Sequence, residues 1–288
     1  MKLLSGTGVA MITPFNENHN IDYPALSRLI EYLIDGGVDF LVSMGTTGES
    51  TALNQEEKIT LLAFTKKTIN GRLPLVLGLG GNNTNGVIKQ LNLIDLNGVD
   101  ALLSVSPAYN KPTQEGIYQH FKAISNATSK DIILYNVPGR TSSNMTAKTT
   151  LRLANDFDNI IAIKEASGDL DQIMKILKEK PTGFSVLSGD DALTLPLIFM
   201  GASGVISVQA MAKPNEFSNM VRAGLSGEIE KALSLHYPQL DIIDLIFKEG
   251  NPAGIKACLK IQGICNEFVR LPLVCVSKET YKKLKEFY

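Results

Sequence analysis

The chain has 288 residues, 44% of them apolar and 20% charged, enough to bury the core of one large domain or two small ones. Its formal net charge of -1 carries none of the basic excess that nucleic acid or an anionic membrane selects, so the expected partner is a small molecule. Met1-Lys2-Leu3-Leu4 is too brief for a secretion signal and no apolar run approaches the ~20 residues of a membrane span, which points to a soluble, cytoplasmic protein.

Gly8-Val9-Ala10-Met11-Ile12 reads as a first strand. Asp22-Tyr23-Pro24 opens a helix with a capping acid and an early proline, and Gly36-Gly37 ends it after Asp35. A pattern then repeats. Gly37-Val38-Asp39-Phe40-Leu41-Val42, a glycine stop, a polar turn and an apolar strand, returns as Gly98-Val99-Asp100-Ala101-Leu102-Leu103 and more loosely as Gly201-Ala202-Ser203-Gly204-Val205-Ile206. Further strands are predicted near Leu75 to Gly78, Asp131 to Tyr135, Ile160 to Lys164 and Phe184 to Ser188. Helical patterns lie between them, near Asn54 to Ile69, Thr84 to Leu96, Gln114 to Ala127, Thr146 to Asp156, Asp169 to Lys178 and Asp190 to Met200. Eight βα units close into a (β/α)8 TIM barrel, assigned to residues 1–224 as the catalytic domain. Residues 225–288 lack β-rich runs and are expected to form a C-terminal three-helix extension packed on the barrel, with Pro238 and Pro252 as interruptions.

The strand ends carry the polar residues. Ile160-Ile161-Ala162-Ile163-Lys164-Glu165 is a short apolar run of the kind buried on both faces of a parallel sheet, and it puts Lys164 at the carboxyl end, where barrels build their sites. A free lysine has a pKa near ~10.4, so the nucleophilic amine is scarce at neutral pH, and an apolar setting makes Schiff-base chemistry practical. Alternatively, a lysine here merely packs its stem and leaves its head in water. Gly45-Thr46-Thr47-Gly48 either brings backbone N–H groups close to a carboxylate or phosphate, or is a tight turn. The loop holding Tyr109 exposes a phenol suited to an interface, and Tyr135 and Arg140 bring a phenol and a guanidinium to the mouth that holds Lys164. Ser188-Gly189-Asp190-Asp191 reads as a helix cap without chemistry. Three cysteines without C-x-x-C spacing read as thiols of a reducing compartment, and three scattered histidines argue against a zinc site or a Ser-His-Asp triad. Together these residues suit carbonyl chemistry through an imine.

With these motifs in hand the chain resembles the dihydrodipicolinate synthase family of pyruvate-dependent class I aldolases. The likeness runs through Gly8-Val9-Ala10-Met11-Ile12-Thr13-Pro14-Phe15, Gly45-Thr46-Thr47-Gly48-Glu49, Tyr109-Asn110-Lys111-Pro112, Tyr135-Asn136-Val137-Pro138-Gly139-Arg140-Thr141, Ile163-Lys164-Glu165-Ala166-Ser167-Gly168-Asp169 and Ser188-Gly189-Asp190. It implies that Lys164 forms an imine with pyruvate and that Tyr135 moves protons. It further implies that Thr46 and Tyr109 complete a proton relay, with Tyr109 contributed by the neighbouring subunit of a homo-oligomer that is at least a dimer. Thr47 would hold the pyruvate carboxylate with its backbone, Ile206 would line the pyruvate site, and Arg140 would orient the carboxylate of aspartate 4-semialdehyde. No cofactor beyond the covalent imine and no metal is implied, and the reaction would open lysine biosynthesis. Lysine-inhibited members of the family carry histidines at the positions of Gln55 and Lys58, a glutamate at Gly86 and a tyrosine at Ala108. The departures imply weak or absent feedback by lysine. A sialic acid lyase or a 2-keto-3-deoxy sugar acid aldolase would share Lys164 and Tyr135, but Arg140 suits a short carboxylated aldehyde better than a polyol. A binding barrel without turnover would not need Thr46, Tyr109, Tyr135 and Lys164 together.

Overall fold

Eight strands, β1 (Gly6–Ala10), β2 (Phe40–Ser43), β3 (Leu75–Gly78), β4 (Ala101–Val105), β5 (Asp131–Asn136), β6 (Ile160–Glu165), β7 (Ser185–Ser188) and β8 (Gly204–Ser207), pair in parallel in chain order in the computed structural model, which describes residues 4–288. β8 returns to β1 and closes the ring, so the expected (β/α)8 barrel is present.

Period-two alternation divides each strand between two apolar layers. Phe40, Val42, Val76, Leu103, Ile133 and Leu187 fill the barrel interior, whereas Leu41, Leu77, Leu102, Leu134, Ile163 and Val186 face the surrounding helices. Burial on both faces explains why these strands read as continuous apolar runs. β1 begins two residues earlier than expected because Gly6 and Thr7 pair with Gly204 and Val205 of β8, and at Gly8 a Cβ would stand 2.2 Å from the Phe40 ring. Only glycine lets that ring into the interior.

Helix starts follow the caps read from the sequence. Asp22 accepts from the Ala25 N–H, and Asn54 forms a reciprocal capping box with Glu57. The helix after β7 is shorter than expected, Thr194–Phe199, because Asp191 does not cap it. Its buried carboxylate accepts from Ser207 Oγ and from the Val208 and Gln209 N–H groups, tying the end of β7 to the end of β8. After the last barrel helix, Pro214–Leu225, the chain forms Ile229–His236 and Leu240–Lys248, joined without a break by a 3-10 turn at the expected interruption Pro238, then Ala253–Ile261 and Lys278–Lys285. The helix Lys278–Lys285 is polar at most positions, but Leu284 on its apolar face anchors it in the same core as the barrel helices. No helix among the described residues is long and apolar enough to cross a membrane.

One core residue makes stability pH-dependent. His120 is buried on the helix Gln114–Asn126, with Nδ1 bonded to Thr84 Oγ1 at 2.9 Å and Nε2 without a partner among the described residues. Burial pulls its imidazole down to about 4. The folded form therefore binds its proton less readily than the unfolded chain, so the contribution is complete above pH ~6.5 and is lost as pH falls toward 4. The loss is at most ~3.4 kcal/mol. Urea unfolding of the parent and of His120→Gln across pH 4–7 is expected to diverge in slope over this window. Parallel pH profiles would remove His120 as the cause.

Candidate active site

The register of β5 and β6 sets the centre of the site. Tyr135 pairs with Lys164 and Asn136 with Glu165, so alternation turns the first pair into the barrel and the second toward the helices. On the outer side Glu165 is fully buried and accepts from Asn136 Nδ2 at 3.0 Å, from the Ser167 N–H at 2.9 Å and from Gln172 Nε2 at 3.2 Å. Burial pushes its carboxyl up, while these donors pull it down. This clamp holds the two strand ends together, and with them the two inward side chains.

Lys164 is 5% exposed, and its Nζ lies 4.5 Å from the centre of the Tyr135 ring. Among the described residues no carboxylate stands within ion-pair distance of that amine. The lysine stem is laid flat by Gly189 at the end of β7, where a Cβ would meet Lys164 Cε at 3.0 Å and Ala166 Cβ at 2.7 Å. The Ser188-Gly189-Asp190-Asp191 segment, expected only to cap a helix, thus shapes the site through Gly189.

The loop after β2 delivers Thr46 and Thr47. Met44 and Glu49 bracket it in left-handed conformations, φ 57° and 52°, which cost roughly 1–2 kcal/mol each for non-glycine residues and persist only where neighbours over-determine them. Those neighbours come from both ends of the chain. Thr13 Oγ1 donates to the Gly48 carbonyl at 2.7 Å, and Asn251 Nδ2 donates to Thr47 Oγ1 at 2.8 Å. Glu49 pairs with Lys256 at 2.5 Å. Neither the Thr46 nor the Thr47 N–H has a protein acceptor among the described residues, which leaves both available to an anion.

These elements enclose a cavity of about 650 Å³ at the carboxyl ends of the strands. Of the seven residues expected from the sequence, Thr46, Thr47, Tyr135, Arg140 and Lys164 line it. Ile206 does not: it is 1% exposed, packed in the interior cluster that also holds Tyr135. Tyr109 is not brought there either. It stands 89% exposed with φ 69°, its N–H bonded to the Thr141 carbonyl at 3.2 Å. Asp244, Lys248 and Asn251 of the C-terminal segment complete the wall, and Asn251 Oδ1 is buried without a partner. Sequence reasoning missed these three, because Pro252 signalled only a break between helices.

An unpaired buried amine, a phenol against it and a guanidinium at the rim can capture a carbonyl compound covalently, move its protons and grip a second carboxylate. Among the described residues no group of three or more His, Cys, Asp or Glu side chains is placed to hold a metal ion.

The model of the Dihydrodipicolinate synthetase family matches residues 3–287. A 4-hydroxy-tetrahydrodipicolinate synthase of Flavobacterium psychrophilum is 53% identical over 287 residues, covering 100% of this chain and 98% of that protein. The crystal structure of a dihydrodipicolinate synthase from Aquifex aeolicus superposes with a TM-score of 0.95 at 41% identity, covering 99% and 97% of the two chains. A structure described as the first monomeric dihydrodipicolinate synthase variant superposes with a TM-score of 0.96 at 37% identity, covering 99% of this chain and 95% of that one.

Proposed function

We propose a residue-level mechanism from the premise that the chain belongs to the dihydrodipicolinate synthetase family and is a lyase with 4-hydroxy-tetrahydrodipicolinate synthase activity. Pyruvate condenses with aspartate 4-semialdehyde, a step of lysine and diaminopimelate biosynthesis. The observation that carries the mechanism is Lys164 Nζ lying against the Tyr135 ring inside the cavity.

Lys164 Nζ attacks the carbonyl carbon of pyruvate, whose carboxylate rests on the free N–H groups of Thr46 and Thr47. Tyr135 gives a proton to the departing hydroxyl and water leaves, which forms the protonated imine. That cation is the electron sink, so no further cofactor is called for: the methyl group gives a proton to the Tyr135 phenolate left by the dehydration, which restores the phenol, and becomes the nucleophilic carbon of an enamine. This carbon attacks the aldehyde of the second substrate, and the new alkoxide takes a proton from Tyr135. Arg140 holds the second carboxylate in bidentate fashion. The amino group of the same molecule then attacks the imine carbon, displaces Lys164 and closes the ring. Ile206, at the end of β8, lines the pyruvate site. The unpaired Cys258, Cys265 and Cys275 suit a reducing cytoplasmic setting.

Borohydride reduction with pyruvate, followed by peptide mass analysis, is expected to place the adduct on Lys164. Turnover should then require aspartate 4-semialdehyde, while activity on sialic acid instead would transfer the chain to the sugar-acid aldolases.

Tyr109 is assigned to a neighbouring subunit's site, because it is the most exposed large hydrophobic side chain and cannot reach its own cavity. Lys164→Ala and Tyr109→Phe homodimers should each be nearly inactive. Mixed after mild dissociation, they should recover about a quarter of parental turnover, since half of the dimers are mixed and each has one intact site. No recovery, with exchange verified by mass, would refute the donation.

A second cavity, of about 250 Å³, shares Gly45, Thr46 and Tyr135 with the first and is lined by Lys58, Gln90 and Ala108. No carboxylate lines it among the described residues. Nothing there pairs with a cationic amino acid, so half-inhibition by lysine is expected only well above ~1 mM, a bound equivalent to no more than ~4 kcal/mol of binding. Titration of lysine against turnover reads this directly.

A further inference from the structure

Glu49 and Lys256 form an ion pair that lines neither cavity and is almost wholly withdrawn from solvent, across 207 residues of chain. Each partner is used fully. Glu49 Oε1 takes Lys256 Nζ at 2.5 Å and Oε2 takes the Arg270 N–H at 2.9 Å. Lys256 also donates to the Phe268 carbonyl at 2.8 Å and lies 4.2 Å from the centre of the Phe15 ring. A buried ion pair adds little stability over apolar side chains of equal volume, because desolvation offsets the attraction. It does impose direction, since the carboxylate must present one oxygen to each donor. Glu49 passes that direction on: its own N–H bonds the Thr46 carbonyl at 3.0 Å, and its left-handed backbone ends the loop that carries both threonines.

We propose that the Glu49–Lys256 pair holds the Thr46–Thr47 loop in its pyruvate-binding geometry, which makes both side chains positioning residues for the condensation. The proposal rests on the imine mechanism above. The C-terminal helix Ala253–Ile261 is thereby a working part of the site: through Lys256 it sets where the two N–H groups sit relative to Lys164. Arg140 belongs to the loop after β5 and is not governed by this pair.

The test compares the parent with Glu49→Gln and with the double variant Glu49→Gln/Lys256→Met, which leaves no unpaired charge in the core and reports where the single variant fails to fold. Borohydride trapping of pyruvate counts functional Lys164 sites, so turnover is expressed per trapped site, alongside the thermal midpoint. Displacing the loop by a fraction of an ångström is expected to lower kcat per site about 30-fold and raise KM for pyruvate about tenfold, with KM for aspartate 4-semialdehyde within about twofold. A purely structural pair would lower the trapped fraction and the thermal midpoint while leaving per-site kcat and both KM values at parental levels, and that result overturns the proposal. Failure of the parent itself to trap pyruvate would instead sink the imine mechanism.

Discussion

Lys164→Ala is expected to lose at least ~10⁴-fold in kcat, about 5.5 kcal/mol of transition-state stabilisation, because it removes the only group that bonds to the keto acid. Proximity alone cannot compensate. Without the amine, pyruvate has no electron sink, and its methyl group does not become a carbon nucleophile at neutral pH. The variant should fold normally. Lys164 has no ion-pair partner among the described residues, so truncation orphans no buried charge, and the space it leaves opens into a wide cavity rather than a sealed void. Borohydride should then leave the chain unlabelled while circular dichroism and the thermal midpoint stay near parental. Turnover within tenfold of the parent, or an adduct on another lysine, would place the chemistry elsewhere.

Tyr135→Phe separates the two halves of the reaction. The ring that packs 4.5 Å from Lys164 Nζ stays in place and only the hydroxyl is lost, so the amine keeps its setting. General acid–base groups contribute ~10²–10⁴-fold, and a loss of ~10²–10³ in kcat is expected, with KM for pyruvate changed by no more than a few-fold. Imine trapping should persist at longer incubation, because a proton can still be relayed slowly by water. Parental turnover in this variant would exclude the phenol as proton carrier and leave Thr46, the hydroxyl at the cavity edge, as the remaining candidate on this chain.

Much of the site was legible because barrels put chemistry at strand ends. Once the apolar run Ile160 to Ile163 was read as a strand, Lys164 had to lie at the mouth, and pairing with the strand ending at Tyr135 brought the phenol beside it. Arg140 and the two threonines followed from the same rule. Ile206 is also near a strand end, yet it is 1% exposed and is not among the residues that line the cavity of this chain. Tyr109 stands 89% exposed at the strand-end loop, outside the cavity of its own chain, as a residue expected to serve a neighbouring subunit would.

The sequence by itself determined the eight βα units, their order and the place of Lys164 at the carboxyl end of a strand, because these rest on local periodicity, cap residues and the two-residue alternation of a strand. The tertiary structure alone decided what surrounds that lysine. Gly189, Asn251 and Lys256 act on groups separated from them by 25 residues or more along the chain. No local pattern encodes such contacts, because each depends on closure of the barrel and on the C-terminal helices folding back over its rim.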